Sequence, residues 1–308
     1  MISLAQMGGF FVGGRRIHVA GQPTRPVYSA PAAAKGADHD PNGSFLVEAA
    51  YVQFFLPAAP RFTTPLLLVH GGGLTGAQWD STPDGRPGWL PRFLEAGVGC
   101  YVIDNVERGR AGFCAIEGEW PDEPLPLSDE EAAERFRFGY EGQTFPLAAL
   151  DGLSAQTVPR WRSTRALQAD GVVHAIDRIG PCALLGFSQG GGFALAAADR
   201  RRDKVRACLT AEPHLLPERF EPGLAGTPAA MVLGDFIEED QVWREVAAAG
   251  VASMAAWEAA GGVAEVIRLP ERGVSGNTHM MMMDTNSDEV FAVILDWFDD
   301  QHRGGRLP

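Results

Sequence analysis

The stretch Ala183-Leu184-Leu185-Gly186-Phe187-Ser188-Gln189-Gly190-Gly191-Gly192 decides how this chain is read. Its first three residues form a short apolar run that suits a buried strand. Residues 189–198 are rich in glycine and alanine and read as a helix. Between them stands Gly-x-Ser-x-Gly. A serine on a tight strand-to-helix turn sits in strained backbone geometry, so its neighbours must be glycine or another small residue. Gly191 and Gly192 extend that clearance into the helix. The pattern is that of a nucleophile elbow with Ser188 as nucleophile. The bland alternative is an ordinary glycine-rich turn.

Outward from the elbow, strands and helices alternate. Residues 66–69 form a wholly apolar run of the kind buried on both faces of a sheet. Helices are expected over 89–96, 164–179 and 242–260, and strands over 99–103, 205–210, 229–233 and 264–269. Asn286 opens a last helix with Glu289 three positions on, a capping-box spacing, and Val290, Phe291, Ile294, Leu295 and Phe298 share one face. Such alternation predicts an α/β class, with a mainly parallel central sheet and helices on both faces. At the N-terminus, strand-like runs at 10–12 and 15–19 flank Gly13-Gly14, a two-residue turn signal, and predict a β-hairpin. Residues 22–44 read as a surface loop, and 46–56 as a strand.

One interruption is too long for a normal connection. It spans residues 107–163 within what reads as a single domain over 1–308. It carries Phe113, Trp120, Phe136, Phe138, Tyr140, Phe145 and Trp161, and a helix opened by Ser128 with Glu131 as capping partner. Two readings stand: a small packed subdomain, or an inserted cap or lid that lines an acyl or aryl pocket.

A serine nucleophile needs a base, an acid and donors for the oxyanion of a tetrahedral intermediate. His70-Gly71-Gly72-Gly73 follows the 66–69 run, so the amide of Gly72 is the candidate for one donor and that of Gln189 for the other. His70 itself reads as a loop-positioning residue. The chain order serine, acid, histidine places the base late. His18, His39, His70 and His174 precede or lie outside that order, and His302 is in the tail. His279, in Gly276-Asn277-Thr278-His279 between the last strand and last helix, is the expected base, ahead of His214. The methionines 280–283 behind it read as packing. For the acid, Asp235 follows the 229–233 strand, the usual position, and Glu212 follows the strand before it. Position alone favours Asp235.

Bulk properties narrow the rest. The chain has 308 residues, 45% hydrophobic and 21% charged, which are globular proportions. Its net charge of −13 repels phosphate backbones and argues against a nucleic-acid partner. No apolar run reaches bilayer length, and no signal peptide is visible, so the expected location is cytoplasmic unless the chain is a trimmed mature form of a periplasmic or secreted protein. The four cysteines, Cys100, Cys114, Cys182 and Cys208, form no Cys-x-x-Cys pair, and no histidine, cysteine and carboxylate cluster has metal-ligand spacing. No cofactor or metal is expected.

Several motifs together resemble one family. Gly276-Asn277-Thr278-His279-Met280-Met281-Met282-Met283-Asp284 is similar to the histidine loop of the bacterial esterase 713-like family of α/β-hydrolases. So are His70-Gly71-Gly72-Gly73-Leu74-Thr75-Gly76, with Trp79, Thr82-Pro83-Asp84-Gly85-Arg86 and Gly88-Trp89 after it. Asp104, Arg108-Gly109-Arg110 and Phe10-Phe11-Val12-Gly13-Gly14-Arg15 fit the same pattern. The resemblance implies an α/β-hydrolase fold, a cofactor-free serine esterase, a homodimer and a glutamate acid after the sixth strand, which is Glu212 here. It implies Gly72 and Gln189 as oxyanion donors. A member of that family carries cysteines where this chain has Gly72 and Gly73. The amide donor survives that change, and the pocket beside it becomes wider and more flexible. The expected activity is cleavage of carboxylic esters, lactones included, through an acyl-enzyme. Alternatives are another acyl or C–C bond hydrolase, or a non-catalytic small-molecule-binding protein on the same fold.

Overall fold

The computed structural model describes residues 2–27 and 37–307. Eight strands build the main sheet: β1 (Leu4–Val19), β2 (Gly43–Pro57), β3 (Leu66–Val69), β4 (Cys100–Asp104), β5 (Cys182–Phe187), β6 (Val205–Ala211), β7 (Pro228–Leu233) and β8 (Val263–Arg268). Their spatial order is β1-β2-β4-β3-β5-β6-β7-β8. The pairs β1/β2 and β2/β4 are antiparallel, and the rest of the sheet is parallel. The expected α/β architecture with a mainly parallel sheet is what the chain adopts.

Side-chain alternation explains why short apolar runs suffice for the central strands. Leu66 and Leu68 of β3 enter one buried cluster, and Leu67 and Val69 enter the other. A period of two sends successive residues to opposite faces, so a strand covered on both sides must be apolar at every position. On one face lie α1 (Trp89–Glu95) and the last helix. On the other lie α4 (Arg165–Ile179), α5 (Gln189–Arg200) and α6 (Gln241–Ala259), whereas the short α2 (Asp129–Arg135) and α3 (Leu150–Ser154) bury Ala132 and Leu153 in the cluster of the first face. The last helix, α7 (Ser287–Arg303), buries Val290, Phe291, Ile294, Trp297 and Phe298. Leu295, expected on that face, is only half-buried and packs at the edge of the cluster, while Trp297 is buried.

Two local expectations are corrected. The N-terminal antiparallel pair exists, but Gly13-Gly14 lies inside β1 rather than at its turn. Val12 pairs with Ala50 and Arg15 with Val47, so both sides of the glycine pair face the same strand. Both glycines have positive φ, +67° and +87°, and make a local irregularity opposite Glu48. A Cβ at Gly13 would lie 2.5 Å from His174 Nδ1, so the glycine permits α4 to approach the strand. The turn signal lost because the long ladder with β2 continues through it. At Asn286 no side-chain cap forms. Its amide oxygen accepts instead from Thr144 and Asn277, and its amide nitrogen donates to the Ser275 carbonyl.

The segment 107–163 packs against the main core. Phe136, Phe138, Phe145 and Leu153 join the cluster that holds Trp79 and Met280 to Met283. Phe138 and Phe145 stack with centroids 3.9 Å apart. Burying one such ring is worth about 1.5–3 kcal/mol, so the segment is held firmly over this face. Ser128 caps α2 by accepting from the Glu131 amide. At the segment's start, the buried Glu107 carboxylate accepts from Gln168 Nε2 of α4 at 2.9 Å and pairs with buried Arg108. Among the described residues, no helix is long and apolar enough to cross a membrane.

Candidate active site

β5 runs straight into α5 through Ser188, whose φ is +51° and ψ −121°. A non-glycine residue in this region costs on the order of 1–3 kcal/mol and persists only where its surroundings hold it. Three backbone bonds do so: the Ser188 amide donates to the Ala211 carbonyl, and the amides of Gly191 and His214 donate to the Ser188 carbonyl. The glycines around it serve close approach. A Cβ at Gly190 would lie 2.3 Å from the His70 carbonyl oxygen, and one at Gly192 would lie 2.2 Å from that of His214. The elbow therefore fits only because residues 190–192 of the helix's first turn carry no side chains.

The loop after β8 brings His279 back over this turn. His279 Nε2 lies 3.0 Å from Ser188 Oγ, and Nδ1 lies 2.6 Å from Glu212 Oε2. The second Glu212 oxygen, Oε1, accepts from Arg137 Nη2 at 2.5 Å and from the Gly234 amide at 2.8 Å. Glu212 has φ +39° and is fully buried. Burial pushes its carboxyl up, but the Arg137 charge and the His279 bond outweigh it and leave it at about 2. Burial pushes His279 below the ordinary histidine value, against the raising effect of Glu212. The imidazole is thus neutral near pH 7, the state in which it can accept a proton.

Asp235 stands elsewhere. Its Oδ1 accepts from the Phe236 amide and its Oδ2 from the Gly276 amide, both at 2.9 Å, and its own amide donates to the Asn277 carbonyl. It grips the backbone of the histidine loop and does not bond to the ring. Glu238 and Glu239 are exposed, and Asp240 caps α6 by accepting from the Trp243 amide.

Gly72 and Gln189 lie on the wall of the same cavity as Ser188 and His279. Neither of their amides has an acceptor among the described residues. Gln189 opens α5, so its N–H also stands at the positive end of a helix dipole. His70 donates or accepts locally: Nδ1 is 2.9 Å from the Gly71 carbonyl oxygen, and Nε2 accepts from the Asn105 amide. Burial holds its pKa well down, which matches a neutral acceptor. The cavity has a volume of about 840 Å³. Residues 125–165 supply much of its wall, including Leu125, Phe136, Arg160 and Trp161, and α6 supplies Trp243.

Compared with known proteins, the chain matches no family model. It superposes on a solved structure described as a novel bacterial esterase with a TM-score of 0.82, at 30% identity over 97% of each chain. The chain belongs to the α/β-hydrolase superfamily, in the family of that esterase. It is also 26% identical to a probable secreted lipase, phiG, of Fungal sp. (strain ATCC 74256), over 82% of this chain and 86% of the relative.

Three residues of this α/β-hydrolase's site were not singled out from the sequence. Arg137, with φ +62°, reaches Glu212 from the inserted segment, and nothing local marks it. Its guanidinium lies 4.3 Å from the centre of the Trp243 ring, and that ring is 4.4 Å from the His279 ring. Trp243 itself sat in a predicted helix with no sign that it faced a pocket. Asp284 ends the stretch that carries the family resemblance, without an evident role. Its carboxylate accepts from the Thr278 amide and hydroxyl at 2.8 Å each, which locks the turn that delivers His279. Burial raises Asp284 to about 6.

Proposed function

We propose that the protein hydrolyses carboxylic esters through an acyl-enzyme, with Ser188, His279 and Glu212 as nucleophile, base and acid. The observation that carries this reading is the hydrogen-bonded chain from Ser188 Oγ through both His279 nitrogens to Glu212, exposed to a cavity of about 840 Å³. Ser188 Oγ attacks the ester carbonyl carbon while its proton passes to His279 Nε2. Glu212 holds the Nδ1–H and stabilises the imidazolium. The amides of Gly72 and Gln189 receive the oxyanion. Collapse of the tetrahedral intermediate breaks the ester C–O bond, and the alcohol leaves with the His279 proton. Water, deprotonated by His279, then attacks the acyl-serine and releases the carboxylic acid. A lactone, being a cyclic ester, would be opened by the same steps. In this reading residues 107–163 cap the pocket and shape the acyl or alcohol site.

Ester cleavage as a class is supported by the likeness to the bacterial esterase and to the secreted lipase. The individual roles rest on distance and charge. A fluorophosphonate probe tests them. The wild type should be labelled at Ser188 and the Ser188→Ala variant should not. Labelling that persists in Ser188→Ala, or none in the wild type, would reject the assignment.

A further inference from the structure

Resting on the ester-hydrolase reading above, we propose that the preferred esters carry an anionic group, bound by Arg160 within a cluster formed with Arg135, Arg162 and Arg165. All four arginines line the cavity that contains Ser188. Three acids face them, Glu131, Glu134 and Asp240, and two are already engaged. Glu131 pairs with Arg135 at 2.5 Å, and Asp240 accepts from the Trp243 amide. The guanidinium groups of Arg160, Arg162 and Arg165 have no hydrogen bond or ion pair among the described residues. In a chain of net charge −13, this positive wall is a local construction.

Arg160 is the anchor. Its amide and carbonyl form a two-way bridge with Leu125, and two residues earlier the Val158 amide donates to the Gly73 carbonyl. The backbone of Arg160 is therefore fixed relative to the glycine run that contributes Gly72. Its side chain is half-buried, and burial together with the neighbouring charge of Arg135 lowers its pKa. A partly desolvated guanidinium that neighbours three other cations, has only the charge of Glu131 acting against them and makes no ion pair of its own is costly. An anion would relieve that cost, and the planar fork suits a carboxylate or a phosphate-type group. The positive charge extends along the cavity wall to His214. Arg135 and Arg160 both help to depress His214, whose ring is 6.2 Å from that of His279. Leu125, Leu127 and Phe136 give the same cavity an apolar lining that suits a short hydrocarbon in the ester.

The Ser188→Ala variant separates binding from turnover. Its affinity for monomethyl glutarate and for neutral dimethyl glutarate would be measured by titration calorimetry at low salt. Methyl 4-phosphonobutyrate tells a phosphate-type preference from a carboxylate one. Either anion should bind at least tenfold more tightly than the diester. Adding Arg160→Gln should remove most of that preference, and Arg160→Lys should keep part of it. Equal affinities for charged and neutral ligands, no measurable binding of either anion, or a preference unchanged in Arg160→Gln would overturn the inference. Fluorophosphonate labelling of the wild type reads the hydrolase assignment separately, so that failure and this one give different results.

Discussion

Arg137 donates to Glu212 across a fully buried contact, with Nη2 2.5 Å from Oε1 and both side chains at zero exposure. The pair joins the inserted segment to the end of β6. It makes the charge state of Glu212 depend on a residue outside the central sheet. Removing one member of a buried pair strands the other in a poorly solvating interior, at roughly 3–5 kcal/mol. Arg137→Met should therefore destabilise the fold by about that amount and lower kcat/KM more than KM alone explains. Because Glu212 is depressed to about 2 from an ordinary 4.5, its stabilising contribution is complete above pH 4.5 and is lost as pH falls toward 2. In Arg137→Met that loss should begin at higher pH. Thermal melts of both proteins across pH 2–6 would check it, and superimposable pH profiles would contradict it.

The two candidate acids should separate cleanly in kinetics. Glu212→Gln leaves the His279 ring without its anionic partner and should lower kcat by roughly 10³–10⁴-fold, as loss of the orienting acid does in serine proteases. Asp235→Asn keeps an oxygen that can accept from the Gly276 amide and should cost less than about tenfold, by the same comparison of direct and indirect contacts. Equal losses in the two variants would mean that Asp235 takes part in the proton relay.

In the proposed mechanism His279 has to be neutral to accept the serine proton. Burial lowers its pKa below the ordinary value of 6.5, so kcat/KM should hold as pH falls through neutrality and decline only below about 6.5. A pH–rate profile of kcat/KM reads this directly. An acid limb centred above pH 7 would show that burial does not dominate the imidazole.

Asp284 should prove structural and kinetic at once. Asp284→Ala strands the Thr278 amide and hydroxyl, each at roughly 1–3 kcal/mol. The expected outcome is a lower Tm and a fall in kcat with little change in KM, because the turn that carries His279 loosens while the pocket wall stays. Asp284→Asn, which keeps an acceptor, should recover much of the stability. A Tm unchanged in Asp284→Ala would remove the residue from this role.

The alternation of apolar runs and helical segments was enough to read an α/β fold, because a strand buried on both faces has to be apolar throughout and 66–69 is. The elbow at 186–190 was legible for a steric reason: only small residues tolerate the approach of His70 and His214 to the helix start. The location of His279 in a late loop followed from chain order. Gly13-Gly14 misled because turn preference is local, whereas the ladder between β1 and β2 is not. The acid was the instructive case. Asp235 and Glu212 both end strands at the same edge of the sheet, and spacing ranked them in the wrong spatial order for contact with the ring. The family resemblance pointed to Glu212, which is the carboxylate that stands 2.6 Å from His279 Nδ1.

By itself, then, the sequence determined the elements whose signals are local: period-two apolar strands, a glycine-cleared serine turn and a histidine in a loop. Tertiary structure brought Glu212 to the imidazole, where strand position alone ranked Asp235 first, and it alone decided that Arg137 from the inserted segment neutralises Glu212 and that four arginines converge on one cavity. Those outcomes depend on residues tens of positions apart, Arg137 with Glu212 and Glu212 with His279. Their interaction follows the inverse of distance in space, for which distance along the chain is no guide.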